Sequence, residues 1–490
     1  MFFRLDNRSL FWLGAFLFTL SAWCTVGYHH ADEHFQILEF AKYRLGESSP
    51  VHLPWEFGAQ MRPGLQPMLV AGWLRAARAL GITDPFLQVF VLRWAIGMAT
   101  LWVYWRWCEW VERDFASPRT ARLLCLGFLL FWAMPYLAVR FSSENASATA
   151  FFAGLYFLLQ AIENQEVEQK KQLCAAGFLL ALSFFFRFQI AFAGLGLGAW
   201  LVFQRRLAAR EWLPLLCGAA LGGGLGALAD TWFYGAWTLT PYNYFFQNIV
   251  AGKAAAFGVS PPWYYLSESL LALLPPMSLL LIVLFFKGLS LKTHHALAWC
   301  IVPFLLAHSF IGHKEFRFVF PMALPFLYLA AVGWEQWGAK IWSWRWARRS
   351  IRAGLAINFF ALAVRTFSPA IDSFCYLRFF YRYAAAQPCK IYFEGKSPWN
   401  RAGLEMNFFK TPSAQPIALY RLAQINALHP SIAPAEGDLI LVNKNNESLE
   451  IQGFNRKKVY SFLPEIVLQN NFNNWQSRSN LWQVYRLERR

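Results

Sequence analysis

The chain has 490 residues, 57% of them hydrophobic and only 15% charged, with 24 Trp and 48 Phe. A soluble globular protein of this length needs more charge to cover its surface, and the apolar residues gather in blocks of about 18 to 23, the length of a bilayer-spanning helix. The net charge of +17 sits in short loops between those blocks, with no RNA- or DNA-binding motif, so nucleic acid is not expected as a partner.

Strand-period alternation is absent from the blocks, which argues against a β-barrel and for an all-α polytopic membrane protein. The first block, Leu10 to Tyr28, has no convincing small-residue cleavage site and reads as a retained helix, not a signal peptide. Further spans are expected at 85–107, 120–139, 147–162, 173–190, 191–204, 213–230, 263–286, 296–312, 318–337 and 353–371, about eleven in all. Residues 66–82 are apolar but short and carry Arg75 and Arg78. If they spanned, every later loop would change sides, so they read as an interfacial amphipathic helix.

Loops rich in Lys and Arg, such as Arg4 and Arg8, Arg113 and Arg119, Lys170 and Lys171, and Arg345 to Arg352, mark the cytoplasmic side. The other side then receives a large first outer loop (29–84), Arg140 to Asn145, a second outer loop (231–262), His313 to Arg317 and the C-terminal region. From about Tyr381 the composition turns polar, and short β-like runs appear at Lys390–Phe393, Asp438–Val442, Lys458–Phe462 and Leu481–Leu487. With a helix expected near Ile417–Leu428, this reads as a small soluble α/β region. The domains are thus 1–380, a transmembrane catalytic domain, and 381–490, an extracytoplasmic domain. No internal repeat is visible. Six of the eight cysteines lie in or beside apolar blocks as packing residues; Cys375 and Cys389 would pair only on an oxidising side. No spacing resembles a zinc site.

Nearly all the unusual polar residues fall on the non-cytoplasmic side. Asp32 and Glu33 follow the first span, flanked by His30 and His34. Trp55-Glu56 and Arg62 share the same loop. Arg140 and Glu144 sit between two spans. Asp230 ends a span and precedes Trp232, Tyr234 and Asn243, with Trp263 beyond. His313-Lys314-Glu315-Phe316-Arg317 separates two spans. Each alone has a structural explanation. A carboxylate can cap a helix, Arg62 or Arg140 can neutralise Glu56 or Glu144, and Lys314 and Arg317 can reach lipid headgroups. Their convergence on one face points instead to a shared aqueous site. Lys314 and Arg317, three apart, can grip a phosphate; Asp32 or Glu33 can take a proton from a hydroxyl; Trp55, Trp232, Tyr234 and Trp263 can stack on sugars. Together they suggest transfer from a phosphate-bearing lipid to a hydroxyl acceptor. A transporter would instead place its polar residues near mid-membrane in paired, broken helices.

These segments resemble the polyprenyl-phosphate-mannose-dependent mannosyltransferases of GT-C fold, which include the GPI mannosyltransferases and those extending the asparagine-linked glycan. His30-Ala31-Asp32-Glu33-His34-Phe35-Gln36 is similar to the family's His-Pro-Asp-Glu-His-Phe-Gln. Trp55-Glu56 with Arg62, and Arg140 through Asn145, resemble two further family segments. Asp230 through Gly235 with Thr240-Pro241-Tyr242-Asn243 looks like the GPI branch, and His313 through Phe318 is close to His-Lys-Glu-Glu-Arg-Phe. The matches run in family order from residue 30 to residue 321. Ala31 replaces the proline, Phe316 replaces the second glutamate, and Pro262 through Tyr265 resembles only half of His-Pro-Trp-His-Trp-Tyr.

The resemblance implies a GT-C fold and an inverting mannosyl transfer to a lipid-linked glycan or glycolipid. The same mechanism could use another polyprenyl-phosphate sugar, arabinose or glucose. It implies Asp32 as base, with Glu33 as runner-up, and His313, Lys314 and Arg317 on the departing phosphate. His30, His34, Trp55, Glu56, Arg62, Arg140, Asp230, Tyr234, Asn243, Trp263 and Glu315 would line the substrates. No metal or other cofactor is expected. The partners expected are membrane lipids, the polyprenyl-phosphate-sugar donor and the acceptor. The expected location is a bacterial inner membrane with the site facing the periplasm; the alternative is the endoplasmic reticulum membrane, facing the lumen.

Overall fold

The structure, a computed structural model, describes all residues except 1–5, 164–165, 206, 372, 387–388, 396, 402, 411–417, 422–432, 444–450 and 479–480. Its main helices are α1 (Asn7–Cys24), α2 (Leu65–Ala79), α3 (Pro85–Val111), α4 (Pro118–Leu130), α5 (Met134–Ala138), α6 (Ser143–Glu163), α7 (Glu166–Phe186) and α8 (Ala191–Trp200). There follow α9 (Ala209–Tyr234), α10 (Thr240–Phe245), α11 (Tyr264–Ala272), α12 (Met277–Leu291), α13 (Ala296–Phe310), α14 (Ala323–Ser343), α15 (Arg345–Phe367) and α16 (Ser373–Ala386). Among the described residues, five helical stretches are long and apolar enough to cross a membrane: Pro85–Asp114, Ser143–Glu163, Ala209–Tyr234, Phe316–Ser343 and Arg345–Phe367.

The chain forms two compact units that interleave in sequence. The first holds residues 1–25, 55–81 and 89–368; the second holds 26–54, 82–88 and 369–490. The expected boundary at 380 marks a change of composition. By packing, the second unit also takes in 369–380 and residues 26–54 and 82–88.

In the first unit, helices meet at glycines. A Cβ built on Gly177 of α7 would lie 1.9 Å from the Leu215 carbonyl oxygen of α9, and one on Gly218 of α9 would lie 1.9 Å from that of Cys174. Gly288 of α12 and Gly333 of α14 make the same kind of contact with Leu329 and Leu284, at 1.8 and 2.1 Å. Such close backbones suit membrane helices, whose association relies on packing where lipid supplies no hydrophobic drive. The apolar core runs through Phe18, Trp107, Phe128, Phe152, Phe304 and Tyr328.

Two expected spans are interrupted. Residues 120–139 divide into α4 and α5, because the chain turns extended at Phe131 before Pro135 opens the next helix. Residues 263–286 divide into α11 and α12 at Leu274, φ +63°, and Pro275-Pro276. Proline offers no N–H to continue a helix, and its ring clashes with the preceding turn. The amphipathic helix expected at 66–82 forms as α2, burying Leu65, Val70, Leu74 and Ala77.

In the second unit the strands are β1 (Lys390–Phe393), β2 (Asn400–Arg401), β3 (Leu404–Glu405), β4 (Ala418–Arg421), β5 (Leu439–Asn443), β6 (Phe454–Ser461) and β7 (Trp482–Arg489). A five-stranded sheet has the order β4-β1-β5-β7-β6, with β1 parallel to both neighbours and β7 antiparallel to β5 and β6. Tyr392, Ile440, Val442, Ile451 and Leu487 form its core. The expected strands are present. Of the helix expected near 417–428, residues 418–421 form β4, and the remainder lies outside the described residues. Segment 26–54 belongs to this unit through Lys42 Nζ on the Asn407 carbonyl, 2.8 Å, and the Ala370 amide on the Val26 carbonyl, 2.8 Å. No disulfide joins Cys375 to Cys389.

Candidate active site

In the first unit, α13 ends at Ile311 and the chain turns through His313 to Glu315 before a 3-10 turn, Phe316–Met322, leads into α14. Glu315 is extended, φ −128° and ψ 139°, so Lys314 and Arg317 do not share a helical turn. Lys314 Nζ donates to the carbonyls of Ser260, 2.7 Å, and Ile311, 2.6 Å, tying the segment before α11 to this turn. Desolvation lowers the pKa of its ammonium from the ordinary lysine value.

Arg317 faces the other way. Its Nε donates to Glu315 Oε2 at 2.6 Å, and its Nη1 to Glu144 Oε1 at 3.0 Å. His313 Nε2 lies 3.1 Å from the other Glu315 oxygen. Arg187 reaches the same Glu144 oxygen at 3.1 Å and donates to Ser143 Oγ at 2.9 Å. Glu144, at the start of α6, thus holds two guanidiniums, and both lie over the Phe318 ring, at 5.1 and 5.4 Å. Arg187 was not among the residues picked out by sequence. The signal was available: an arginine inside an expected span, 173–190, is expensive unless used or paired.

A second cluster joins the segment around 55–64 to the end of α9. Gly64 N–H donates to Asp230 Oδ1 at 2.6 Å, and Thr240 Oγ1 donates to Oδ2. Tyr234 Oη donates to the Arg62 carbonyl, 2.9 Å, and accepts the Arg62 amide, 3.2 Å. Asn243 Nδ2 donates to the Gln60 carbonyl, 3.1 Å, while Arg62 pairs with Glu56 at 3.3 Å. Asp230, Tyr234 and Asn243 are therefore engaged in scaffolding the loop. Trp55 lies under the Lys253 ammonium at 4.6 Å, and Trp263 is 67% exposed. Arg140 is buried and donates to the Thr25 carbonyl at 2.8 Å and to its hydroxyl; Arg93 donates to the same carbonyl at 2.6 Å.

In the second unit, residues 29–34 form a tight turn in which the Glu33 amide donates to the His30 carbonyl. His30 Nδ1 lies 3.4 Å from Asp32 Oδ1, and Glu33 Oε1 accepts the His29 amide at 3.1 Å. Both carboxyl groups are partly exposed. His34 is not. Its Nε2 is 2.9 Å from Glu39 Oε1, its ring stacks on Phe409, and Glu39 also accepts the Phe408 amide at 2.8 Å. Burial would raise the Glu39 carboxyl, but the His34 bond and charge, aided by the Phe408 amide, bring it below its ordinary value. The expectation of a substrate-facing His34 is corrected: it is a buried structural partner of Glu39, which the sequence reading overlooked.

Arg187, Lys314 and Arg317 are buried cations of the first unit, and the Asp32 and Glu33 carboxyls are partly exposed in the second. The fold is that of GT-C glycosyltransferases: ArnT from Cupriavidus metallidurans, solved bound to undecaprenyl phosphate, matches with a TM-score of 0.55 over 97% of both chains at 11% identity. The Alg9-like mannosyltransferase family matches residues 9–386, and the chain belongs to that family. GPI mannosyltransferase 3 of Yarrowia lipolytica is 27% identical over 313 residues, 64% of this chain and 59% of that protein. Dol-P-Man:Man(7)GlcNAc(2)-PP-Dol alpha-1,6-mannosyltransferase of Saccharomyces cerevisiae is 27% identical over 172 residues, 34% of this chain and 31% of that protein. The chain spans less than two thirds of the length of the curated relatives it matches.

Proposed function

We propose that this protein transfers mannose, with inversion, from a polyprenyl-phosphate donor to a hydroxyl of a lipid-linked glycan or glycolipid at the non-cytoplasmic face of a membrane. The observation that carries the reading is the family match over residues 9–386, which takes in both the Asp32-Glu33 turn and the His313–Arg317 segment. The acceptor oxygen bonds to the anomeric carbon as the bond from that carbon to the phosphate oxygen breaks. The acceptor proton passes to Asp32, and the electron pair leaves on the polyprenyl phosphate. One carboxylate is enough for this, as in inverting glycoside chemistry.

His313, through a ring N–H, and the Arg317 guanidinium answer the charge that grows on the leaving phosphate, and donors fixed in a water-poor site are strong stabilisers of such charge. Lys314 contributes by holding the turn and adding positive charge beside it. Trp55 and Trp263 offer exposed faces for sugar rings. No metal is invoked. The membrane domain would cross the bilayer about eleven times, with the charge pattern of the loops directing the site outward, to the periplasm in a bacterial inner membrane.

The test is Asp32→Asn in membranes with confirmed expression. Sugar transfer is expected to vanish. Retained transfer in Asp32→Asn, with loss in Glu33→Gln, would move the base to Glu33.

A further inference from the structure

We propose that Arg187 is a second phosphate-binding guanidinium of the donor site, acting beside Arg317. The inference rests on the functional reading above and names a residue outside the His313–Arg317 segment. Arg187 sits just beyond α7, 7% exposed, yet its Nε has no hydrogen-bond partner among the described residues. Two further buried polar atoms without hydrogen-bond partners among the described residues lie nearby: Tyr265 Oη and His308 Nε2, on rings 6.4 Å apart. His308 lies 6.4 Å from Phe318, the ring that both guanidiniums cover. Buried polar atoms left unpaired are costly and uncommon, so several together call for a polar occupant.

The charge points to its sign. Arg187 and Arg317 pair with Glu144, and Arg317 also with Glu315, while the third buried cation, Lys314, is held by the Ser260 and Ile311 carbonyls and meets neither carboxylate. A buried cluster with surplus positive charge favours an anion. Glu144 Oε1 is shared by Arg187 at 3.1 Å and Arg317 at 3.0 Å, which sets the two planar donor groups side by side. Two adjacent guanidiniums match the non-bridging oxygens of one phosphate. The donor is a phosphodiester with one negative charge, and the leaving group is a phosphomonoester with more. Paired arginines therefore gain as the sugar departs.

The experiment measures binding of farnesyl phosphate, with farnesol as the uncharged control, to the purified full chain in detergent, alongside donor kinetics. Wild type is expected to bind farnesyl phosphate in preference to farnesol. Arg187→Gln is expected to weaken farnesyl phosphate roughly tenfold, the loss of about one charge-assisted contact, and to lower kcat as well as raise donor KM. Arg187→Lys should recover part of both, and farnesol binding should not move. Wild-type affinity in a folded Arg187→Gln, with loss in Arg317→Gln, would overturn the inference and leave the proposed function standing. If Arg187→Gln does not fold, Arg187→Lys decides: unchanged affinity and transfer would overturn it. Equal binding of farnesyl phosphate and farnesol by wild type would remove the proposed function and this inference together.

Discussion

The joint between Gly64 and Asp230 should fail if a single methyl group is added. A Cβ on Gly64 would lie 2.5 Å from Phe233 Cβ and 2.6 Å from the Ala229 carbonyl oxygen, and neither belongs to a flexible side-chain end. The loop and α9 must part. Overpacking of this kind costs about 1–3 kcal/mol. Parting also stretches the 2.6 Å bond from Gly64 N–H to Asp230, and an unsatisfied buried N–H adds about 1–3 kcal/mol. Gly64→Ala should therefore destabilise by about 4 kcal/mol. Asp230→Ala, which orphans both Gly64 N–H and Thr240 Oγ1, should cost about 2–4 kcal/mol. Because both variants break the same bond, the double variant should fall short of the sum by about 1–3 kcal/mol. The assay is apparent thermal unfolding at one scan rate in one detergent, with limited proteolysis at residues 55–64 as a local readout. A wild-type melting profile for Gly64→Ala, or additive losses in the double variant, would refute the role given to this joint.

Gly218→Leu should force α9 from α7 and lower the yield of folded protein in detergent, whereas Gly224→Leu, at a position facing open space, should not; size-exclusion profiles compare them. Glu39 sits below its ordinary carboxylate value, so its contribution is present above that value and is lost as pH falls through the lower, folded one. Protease sensitivity of segment 26–54 should accordingly rise steeply in acid for wild type. Glu39→Gln should show a shallower acid response; an identical response would remove Glu39 from the account.

Apolar block length was enough to place α3, α6 and α9, because a spanning helix must satisfy its backbone internally and its length is set by the bilayer. The same criterion ran through Pro275-Pro276 and through Phe131 to Ala133, where local backbone chemistry overrides hydropathy. The motifs located the Asp32-Glu33 turn and the His313–Arg317 segment. They could not show that Glu144 gathers Arg187 and Arg317, since three separate elements must fold before that oxygen has two partners. His34 illustrates the reverse. It reads as part of a reactive cluster, but the turn at 34–39 carries it inward onto Glu39. Asp230 read as a site residue for a similar reason: an acid at a span end looks exposed until Gly64 and Thr240 are folded against it.

The central claim is sugar transfer from polyprenyl-phosphate mannose. The most direct measurement incubates the purified protein with labelled polyprenyl-phosphate mannose and a native lipid extract, and follows label into lipid-linked product. The account predicts a labelled product that the Asp32→Asn protein does not form. Absence of product with mannose, alongside product with polyprenyl-phosphate arabinose or glucose, would contradict the donor assignment.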